Sequence, residues 1–315
     1  MANSLETLLD ELDQQPTLPA QTALYYFSEL DSQDISLVHA AWPRLPVQLR
    51  RDVITHLVQI AEADFEVDFG VVFRLSLADP DAKVRTAAIE GLWEDEDENL
   101  IPILSALLHQ DEAISVRAAA AKSLGRFILL GELGKIRSEA FHVAYQATLT
   151  ACQDPSEHLE VQRRALESLA YTDSETVMQL IHRAYDASEE KMRVSSVFAM
   201  GRSADARWSR CVCQELFSPN PEMRYEAARA CGELELTESV PDLEELCDDV
   251  DPEVQESALW ALGQIGGDRA RQILERYCQA DNEALHAAAE AALDELEFLH
   301  GDLSDFFARL ARMDD

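Results

Sequence analysis

Cys211 and Cys213 are the first side chains to consider for chemistry, because two nearby thiols can bind a metal ion or form a redox pair. On an α-helix, residues two apart point about 200° away from each other. This geometry makes the two thiols poor joint ligands. We therefore interpret both cysteines as small apolar side chains that fill space between helices.

Two acidic runs and one serine–lysine pair are further candidates for chemistry. Residues 94–98 and 248–253 are rich in carboxylates, yet neither run has the glycine and terminal glutamate of a calcium-binding loop. Ser188 and Lys191 have the Ser-x-x-Lys spacing of some acyl-transfer enzymes, but the motifs that accompany it are missing. The acidic runs are predicted to be solvated loop charge, and the Ser–Lys pair is predicted to lie in a turn.

The sequence also lacks the short motifs that position reactive groups. It contains no His-Glu-x-x-His, no Gly-x-Ser-x-Gly, no phosphate-binding glycine loop and no zinc pattern of paired cysteines. We therefore predict no catalytic residue, no metal site and no cofactor. The expected protein is not an enzyme.

Composition indicates a globular chain with a strong negative charge. Hydrophobic residues are 47% and charged residues 27% of the sequence, which is enough apolar material for a core. The net charge of −34 repels nucleic acid and anionic membranes, so neither is an expected partner. The charge keeps the chain soluble and monomeric or steers it towards a basic partner, and these two interpretations are compatible.

The N-terminal residues MANSLETLLDELD are acidic and lack the basic region and apolar run of a secretory signal. No apolar run approaches the roughly 18 residues that cross a bilayer. We expect a cytoplasmic protein that does not contact membranes. Its six cysteines are expected to be reduced thiols.

One sequence frame recurs along most of the chain. An apolar anchor is followed by small residues four and seven positions later and by an apolar residue eight positions later, as in VQESALWAL from Val254. Successive anchors are 32, 45, 31, 31, 31 and 31 residues apart. The anchors are Val84, Val116, Val161, Met192, Met223, Val254 and Leu285. A fixed period of this length is typical of stacked supersecondary units.

The anchor and the residues four and eight positions later lie on one face of a helix, and this face is predicted to be the core. Turns precede most anchors, as at residues 79–81 and 251–253, where proline ends one helix and an acidic residue favours the start of the next. A second apolar segment, such as residues 100–108, stands upstream of the turn. Each unit is therefore predicted to be helix, turn, helix.

This frame resembles the HEAT repeats, and in particular the short HEAT-like repeats of the bilin (phycobilisome) lyases. The resemblance rests on the pattern DPD-x-x-VR-x-x-A-x-x-x-L, which is clearest over residues 77–296 and nearly complete over residues 246–267. The expected fold is all-α, an α-solenoid of about seven to eight HEAT-like repeats with helical caps. HEAT-like di-iron hydroxylases carry repeated His-Glu dipeptides, and this sequence has none.

Three regions are predicted along the chain. They are an N-terminal helical cap over 1–48, the repeat solenoid over 49–296 and a C-terminal capping helix over 297–315. A weaker first repeat begins near Leu49, because LRRDVITHL places Leu57 eight positions after that anchor. The 45-residue step adds residues around 126–140, which predicts a lengthened helix or a short extra element. The C-terminal cap is suggested by Phe298, Leu303, Phe306, Phe307 and Leu310.

A partner-binding face is predicted from the positions two, six and ten residues after each anchor. These positions lie away from the core line, on the second helices that line the concave side of related solenoids. Several are aromatic or arginine, the composition of interaction hot spots. The alternative is that aromatic residues at helical spacing belong to the core. We call the following eight residues the candidate stripe: Arg126, Arg163, Tyr171, Phe198, Arg202, Tyr225, Arg229 and Trp260.

A second column, one position after the anchor, holds arginines that we predict to be structural. A guanidinium group can bond to the acidic turn residue of a neighbouring repeat. The alternative is that they contact a ligand directly. These arginines are Arg85, Arg117, Arg193 and Arg224.

Taken together, the patterns predict a non-catalytic scaffold or adaptor that binds another protein or a peptide on its concave helix face. The alternative, implied by the resemblance, is a chaperone-like subunit of a bilin lyase that acts on a tetrapyrrole-carrying protein. The scaffold is favoured because the repeats alone account for every residue on which the lyase resemblance rests.

Overall fold

The computed structural model describes residues 4–14 and 17–300, and every regular element within these ranges is helical. The predicted all-α fold is therefore confirmed. Contacts between Cα atoms divide the chain into two compact units, Met1–Ser168 and Leu169–Asp315, which we call unit 1 and unit 2.

Unit 1 consists of helices joined by short turns. Short 3₁₀ segments at Tyr25–Phe27 and Trp42–Arg44 follow its second and third helices. The α-helices are α1 (Ser4–Gln14), α2 (Gln21–Leu24), α3 (Ser32–Ala41), α4 (Val47–Ala63), α5 (Gly70–Ser76), α6 (Ala82–Gly91), α7 (Leu100–Gln110), α8 (Ile114–Glu132), α9 (Ser138–Gln153) and α10 (Leu159–Leu169).

Unit 2 continues the same pattern. Its 3₁₀ segments, Ala206–Trp208 and Thr237–Ser239, precede short helices. The α-helices are α11 (Glu175–Tyr185), α12 (Glu190–Arg202), α13 (Ser209–Glu215), α14 (Pro221–Glu233), α15 (Val240–Leu246), α16 (Pro252–Ile265), α17 (Gly267–Tyr277) and α18 (Glu283–His300).

Within each unit, second helices that contain the sequence anchors pack on one another. In unit 1 the series runs α4, α6, α8, and in unit 2 it runs α12, α14, α16, α18. On α16 the core line of Val254, Ala258 and Leu262 is fully buried. Met192 and Leu285 are only half-buried at the same anchor position. The core line of aliphatic residues therefore forms the interior in the repeats where the sequence frame is most regular.

Short polar side chains start several of these second helices. The side chains of Asp81, Asn220 and Asp251 accept hydrogen bonds from amide groups in the first turns of α6, α14 and α16. These N-caps satisfy N–H groups that have no partner inside the helix. Pro221 and Pro252 follow directly, at a helical position where the missing N–H is not needed.

Glycine nine positions after the anchor allows neighbouring second helices to approach closely. A Cβ atom on Gly263 would lie 2.6 Å from the carbonyl oxygen of Ala292 on α18. A Cβ atom on Gly232 would lie 2.9 Å from the Cα atom of Ala261 on α16. Both distances are too short for a side chain, so the helix spacing in unit 2 depends on glycine at these points.

The long step between anchors corresponds to a long helix. Helix α8 runs for 19 residues, against 10 for α6 and 13 for α12 and α14, so the additional residues extend it at its C-terminal end. A turn with Gly134 at a φ of 67° then leads into α9. The lengthened helix that the spacing predicted is present.

At the N-terminal end, α1 buries Leu5, Leu8 and Leu12, and Phe27 and Trp42 are also buried. These residues lie in the predicted N-terminal cap, whose boundary at residue 48 stays a prediction. At the other end, Phe298 lies on α18 and is exposed. The remainder of the predicted C-terminal cap, including the residues at 303, 306, 307 and 310, lies outside the described residues.

Ion pairs between arginine and carboxylate join successive repeats, and we call this series the arginine ladder. Arg85 on α6 donates hydrogen bonds of 2.8 and 2.7 Å to the Asp111 carboxylate and one of 2.7 Å to the carbonyl of Asp79. Arg117 on α8 bonds in the same way to the Glu157 carboxylate and to the carbonyl of Asp111. Each arginine thus holds its own turn and the turn of the next repeat.

The ladder continues in unit 2 at Arg224 on α14. Its guanidinium donates two hydrogen bonds of 2.7 Å to Asp249 and one of 2.9 Å to the carbonyl of Ser218. The side chains of Arg224 and Asp249 are 13% and 8% exposed, so water does not screen the pair effectively. The hydrogen bond from Arg224 lowers the pKa of Asp249. The carboxylate therefore stays ionised and bound to Arg224 in the folded protein.

Arg50 belongs to the ladder although the sequence analysis did not name it. It donates to the buried Asp79 carboxylate at 2.8 and 3.2 Å and to the carbonyl of Leu45 at 2.6 Å. The signal was available, because Arg50 stands one position after the weak anchor Leu49.

Arg193 departs from the prediction that each ladder arginine meets an acidic turn residue. Its guanidinium donates only to the carbonyls of Ala187 and Ser188, at 3.2 and 3.3 Å. The reason lies in the next turn, where Ser218 occupies the position that Asp249 has one repeat later.

Substitution of ladder arginines distinguishes the contribution of the carboxylate pair to stability from the contribution of the backbone hydrogen bonds. Arg224→Ala should lower the free energy of unfolding by about 3 kcal/mol, because it leaves the buried Asp249 carboxylate without its partner. Arg193→Ala should cost about 1 kcal/mol, since only bonds to carbonyls are lost. Urea unfolding followed by far-UV circular dichroism measures both losses. Equal losses would contradict a stabilising role of the carboxylate pair.

Candidate functional site

The structure places two residues of the candidate stripe in unit 1, Arg126 and Arg163. Arg126 lies on α8 and donates from Nη1 to the carbonyls of Leu92, at 2.7 Å, and Trp93. These carbonyls follow the last turn of α6, where backbone acceptors have no partner within the helix. Burial lowers the pKa of Arg126. Arg126 therefore caps the C-terminal end of α6.

Arg163 is buried, so the prediction that its position is exposed is wrong. Only 5% of the residue is accessible, and Nη1 bonds to Glu160 of the same helix at 2.8 Å. Ala118 and Val194, two positions after their anchors, are buried as well. The position two residues after the anchor lies about 200° around the helix, on the opposite side. It is nevertheless buried in these three repeats, because each repeat packs on its neighbours as well as on its own core line.

The other six stripe residues lie in unit 2, and four of them lie around Glu233. The Glu233 carboxylate on α14 lies 3.2 Å from Nη2 of Arg202 on α12 and 3.9 Å from Nη2 of Arg229 on its own helix. Arg202 stacks over the Phe198 ring at 5.4 Å, and Arg229 stacks over the Trp260 ring at 4.2 Å. We call these five residues the Glu233 cluster: Phe198, Arg202, Arg229, Glu233 and Trp260.

Helix packing positions Trp260 and Glu233 of this cluster. Trp260 on α16 lies against α14 at Gly232, where a Cβ atom would come within 2.8 Å of the indole ring. Glu233 reaches towards α12 at Gly201, where a Cβ atom would come within 2.6 Å of Oε2. The glycines that bring the helices together therefore also make room for the cluster.

The electrostatics of the Glu233 cluster favour ion pairing. Burial raises the pKa of Glu233, and the charges of Arg202 and Arg229 oppose this effect. Two guanidinium groups face one carboxylate, so the cluster carries a net positive charge within a chain of net charge −34. The two arginine side chains remain 34% and 28% exposed, and the surface of the cluster is open to a partner.

Tyr171 and Tyr225 complete the stripe in unit 2, and both are half-buried. The backbone carbonyl of Tyr225 accepts a hydrogen bond from the Ser257 hydroxyl on α16 at 3.0 Å, which fixes α14 against α16 at this point. Tyr171 lies in the turn after α10, outside the helix on which the prediction placed it, and both tyrosines keep part of their surface accessible.

Sequence reasoning recognised the aromatic and arginine residues of the cluster but not the role of Glu233. Glu233 stands ten positions after the anchor Met223, on the same line as the stripe. Its residue type alone gives no reason to expect that one carboxylate serves arginines from two helices.

The side chains considered for chemistry make contacts within the fold. Cys213 is hydrogen-bonded to Cys231 on α14, and this bond lowers the pKa of Cys213. The acidic run at 94–98 is bound to arginine, since Asp95 and Asp97 lie 2.5 and 3.1 Å from Nη2 of Arg74. Ser188 lies in the turn before α12, and its carbonyl accepts the bond from Arg193.

The described residues contain neither a metal-binding cluster nor a membrane-spanning helix. Over residues 4–14 and 17–300, no group of three or more His, Cys, Asp or Glu is arranged to hold a metal ion. Across the same part of the chain, no helix has the length and apolar character needed to span a bilayer.

Comparison with known proteins supports the repeat assignment. A family model described as HEAT repeats matches residues 72–140 and 211–294. These segments contain α6 and α8 in unit 1 and α14 and α16 in unit 2, which carry the sequence frame and the ladder. The matched segments of the chain are HEAT repeats, and the predicted α-solenoid class is confirmed. No curated protein sequence matches the chain.

Among solved structures, one with a TM-score above 0.5 shows the same fold at low sequence identity. The complex of CpcE and CpcF of phycocyanin lyase from Nostoc sp. PCC7120 matches with a TM-score of 0.53 at 15% identity, over 85% of this chain and 98% of that chain. Human deoxyhypusine hydroxylase in complex with glycerol has a TM-score of 0.34 at 19% identity, over 93% and 97%. An engineered protein has a TM-score of 0.40 at 17% identity, over 93% and 88%.

The contact between Gly232 and Trp260 can be tested by adding one methyl group. Gly232→Ala should lower the free energy of unfolding by about 2 kcal/mol, because the new Cβ atom meets the indole ring and the backbone of α16. Helix propensity alone predicts the opposite sign, a gain of about 1 kcal/mol. Urea unfolding gives the sign, and near-UV circular dichroism reports displacement of Trp260. An increase in stability would contradict the close contact.

Proposed function

We propose that this protein is a non-catalytic scaffold or adaptor that binds a partner protein or peptide on the second helices of unit 2. The observation that carries the proposal is the Glu233 cluster. Two arginines, each stacked on an aromatic ring and held by one carboxylate, form a partly exposed surface across three neighbouring helices.

This surface has the composition of an interaction hot spot. Arginine, tyrosine and tryptophan contribute most to binding energy at protein interfaces, and they act best when they are already ordered. Glu233 restrains both guanidinium groups, and the rings are restrained by helix packing. Little conformational entropy remains to be lost when a partner binds.

Charge supports the same assignment. A chain of net charge −34 repels most acidic surfaces, but the Glu233 cluster is locally positive and includes two aromatic rings. A partner can therefore contact aromatic rings and guanidinium faces here without burying unpaired acidic side chains. The proposed binding residues are the six stripe residues of unit 2: Tyr171, Phe198, Arg202, Tyr225, Arg229 and Trp260. Arg126 and Arg163 are assigned to helix capping and intrahelical pairing instead.

The test is quantitative recovery of partners from the native cells with tagged full-length protein and chemical crosslinking. The double variant Phe198→Ala/Trp260→Ala should lower recovery of the proteins enriched by the wild type at least tenfold, because hot-spot aromatics each contribute about 2 kcal/mol. The matched control is Phe65→Ala/Trp93→Ala, which removes exposed aromatics of unit 1 that lie outside the stripe. An unchanged partner set in a folded double variant would refute the proposed site.

A second proposed function is supported by the structural similarity to CpcE and CpcF of phycocyanin lyase. In this proposal the chain is a chaperone-like subunit that holds a tetrapyrrole-carrying protein during bilin attachment or removal. Phycocyanobilin mixed with the purified protein should then show a shifted and intensified visible absorption band. An unchanged spectrum at a several-fold excess of protein over bilin would remove this alternative.

A further inference from the structure

The arginine ladder is interrupted at one step in unit 2. Arg193 on α12 bonds only to backbone carbonyls, and no carboxylate of the described residues lies within 4.0 Å of its nitrogen atoms. In the next step Arg224 holds Asp249 at 2.7 Å. Arg193 is therefore a half-buried cation without an anionic partner in the described part of this strongly acidic chain.

Three observations show that Ser218 occupies the carboxylate position of the ladder. Ser218 follows Arg193 by the same interval as Asp249 follows Arg224. Its carbonyl accepts a bond from Arg224, as the carbonyl of Asp111 does from Arg117. Its hydroxyl accepts a bond from the amide two residues later at 3.4 Å, as the Asp249 carboxylate does at 2.9 Å.

Exposed apolar side chains flank this position on the turns of unit 2. Phe217 immediately precedes Ser218 and is 64% exposed. In the next turn, Asp249 is the residue equivalent to Ser218. Val250 immediately follows Asp249 and is 95% exposed. Both side chains thus expose apolar surface beside the carboxylate position of the ladder, where another molecule can contact them.

We propose that these turns are a docking edge for an extended segment of a partner protein, in which an Asp or Glu carboxylate pairs with Arg193 and neighbouring apolar side chains contact Phe217 and Val250. The partner carboxylate takes the role that Asp249 has towards Arg224. This inference rests on the proposed scaffold function, and it places a contact outside the candidate stripe.

The chemistry of the partner follows from charge and geometry. The ladder pairs are bidentate, so Arg193 presents a fork of donors that matches a carboxylate. Ser218 is smaller than aspartate and leaves the guanidinium without a competing anion from its own chain. Pairing there neutralises the one ladder cation that lacks a carboxylate within the described residues, which favours an acidic side chain despite the overall charge.

Random dodecapeptides displayed on phage are selected for binding to the immobilised full-length protein. The Ser218→Asp variant is present in solution as competitor, so that peptides that bind elsewhere on the protein are removed. Ser218→Asp supplies the carboxylate within the chain and should stay folded, because it restores the ladder. Enriched peptides should carry Asp or Glu beside an aliphatic or aromatic residue. Synthetic copies, measured by fluorescence polarisation, should bind at least tenfold more weakly to Ser218→Asp and to Arg193→Gln.

Three variants serve as controls for the same peptides. Phe217→Ser should also weaken binding, whereas Arg269→Gln, which alters an exposed arginine elsewhere in unit 2, should leave the affinity unchanged. Phe198→Ala/Trp260→Ala should leave it unchanged as well. Full binding to Ser218→Asp or Arg193→Gln, or a selection without enriched peptides, would overturn the docking edge. If the binding of the peptides is weakened only by Phe198→Ala/Trp260→Ala, the result would support the candidate stripe and overturn only this inference.

Discussion

The bidentate pair between an arginine of one second helix and a carboxylate of the following turn is the constraint on which the repeat architecture depends. At Arg224 and Asp249 the pair is shielded from water, and a third bond ties the guanidinium to its own turn. Three bonds from one planar group fix both the distance and the rotation of successive repeats. Glycine at position 232 then sets the closest approach of α14 and α16.

The candidate binding surface is a consequence of this fixed register. When second helices repeat at a constant offset, a residue six positions after one anchor meets a residue six positions after the next. Arg229 and Trp260 are related in this way, and they stack at 4.2 Å. Glu233 reaches back to Arg202 on the preceding helix through the same offset. The surface therefore needs no element beyond the repeats themselves.

The sequence was sufficient for the period, the core line and the turns, because these depend on local residue types. Val254, Ala258 and Leu262 are buried as their spacing predicts. The arginine column predicted pairing with acidic turn residues, but the acceptor of each arginine could not be predicted, because it depends on which residue the next turn offers. Arg126 meets the carbonyls after α6, and Arg193 bonds to carbonyls of its own turn because Ser218 stands where the next repeat has an aspartate, although both arginines stand in regular columns. An arginine column thus identifies donors but leaves their acceptors open.

A double-mutant cycle between Arg224 and Asp249 tests the central claim most directly. The free energy of unfolding is measured for the wild type, Arg224→Met, Asp249→Asn and the double variant, so that the coupling energy of the pair is isolated from other effects of each change. If this buried bidentate pair holds the repeats in register, the coupling energy between Arg224 and Asp249 should be favourable by about 2 kcal/mol or more. A coupling near zero would contradict the account, because the repeats would then be held in register by apolar packing alone.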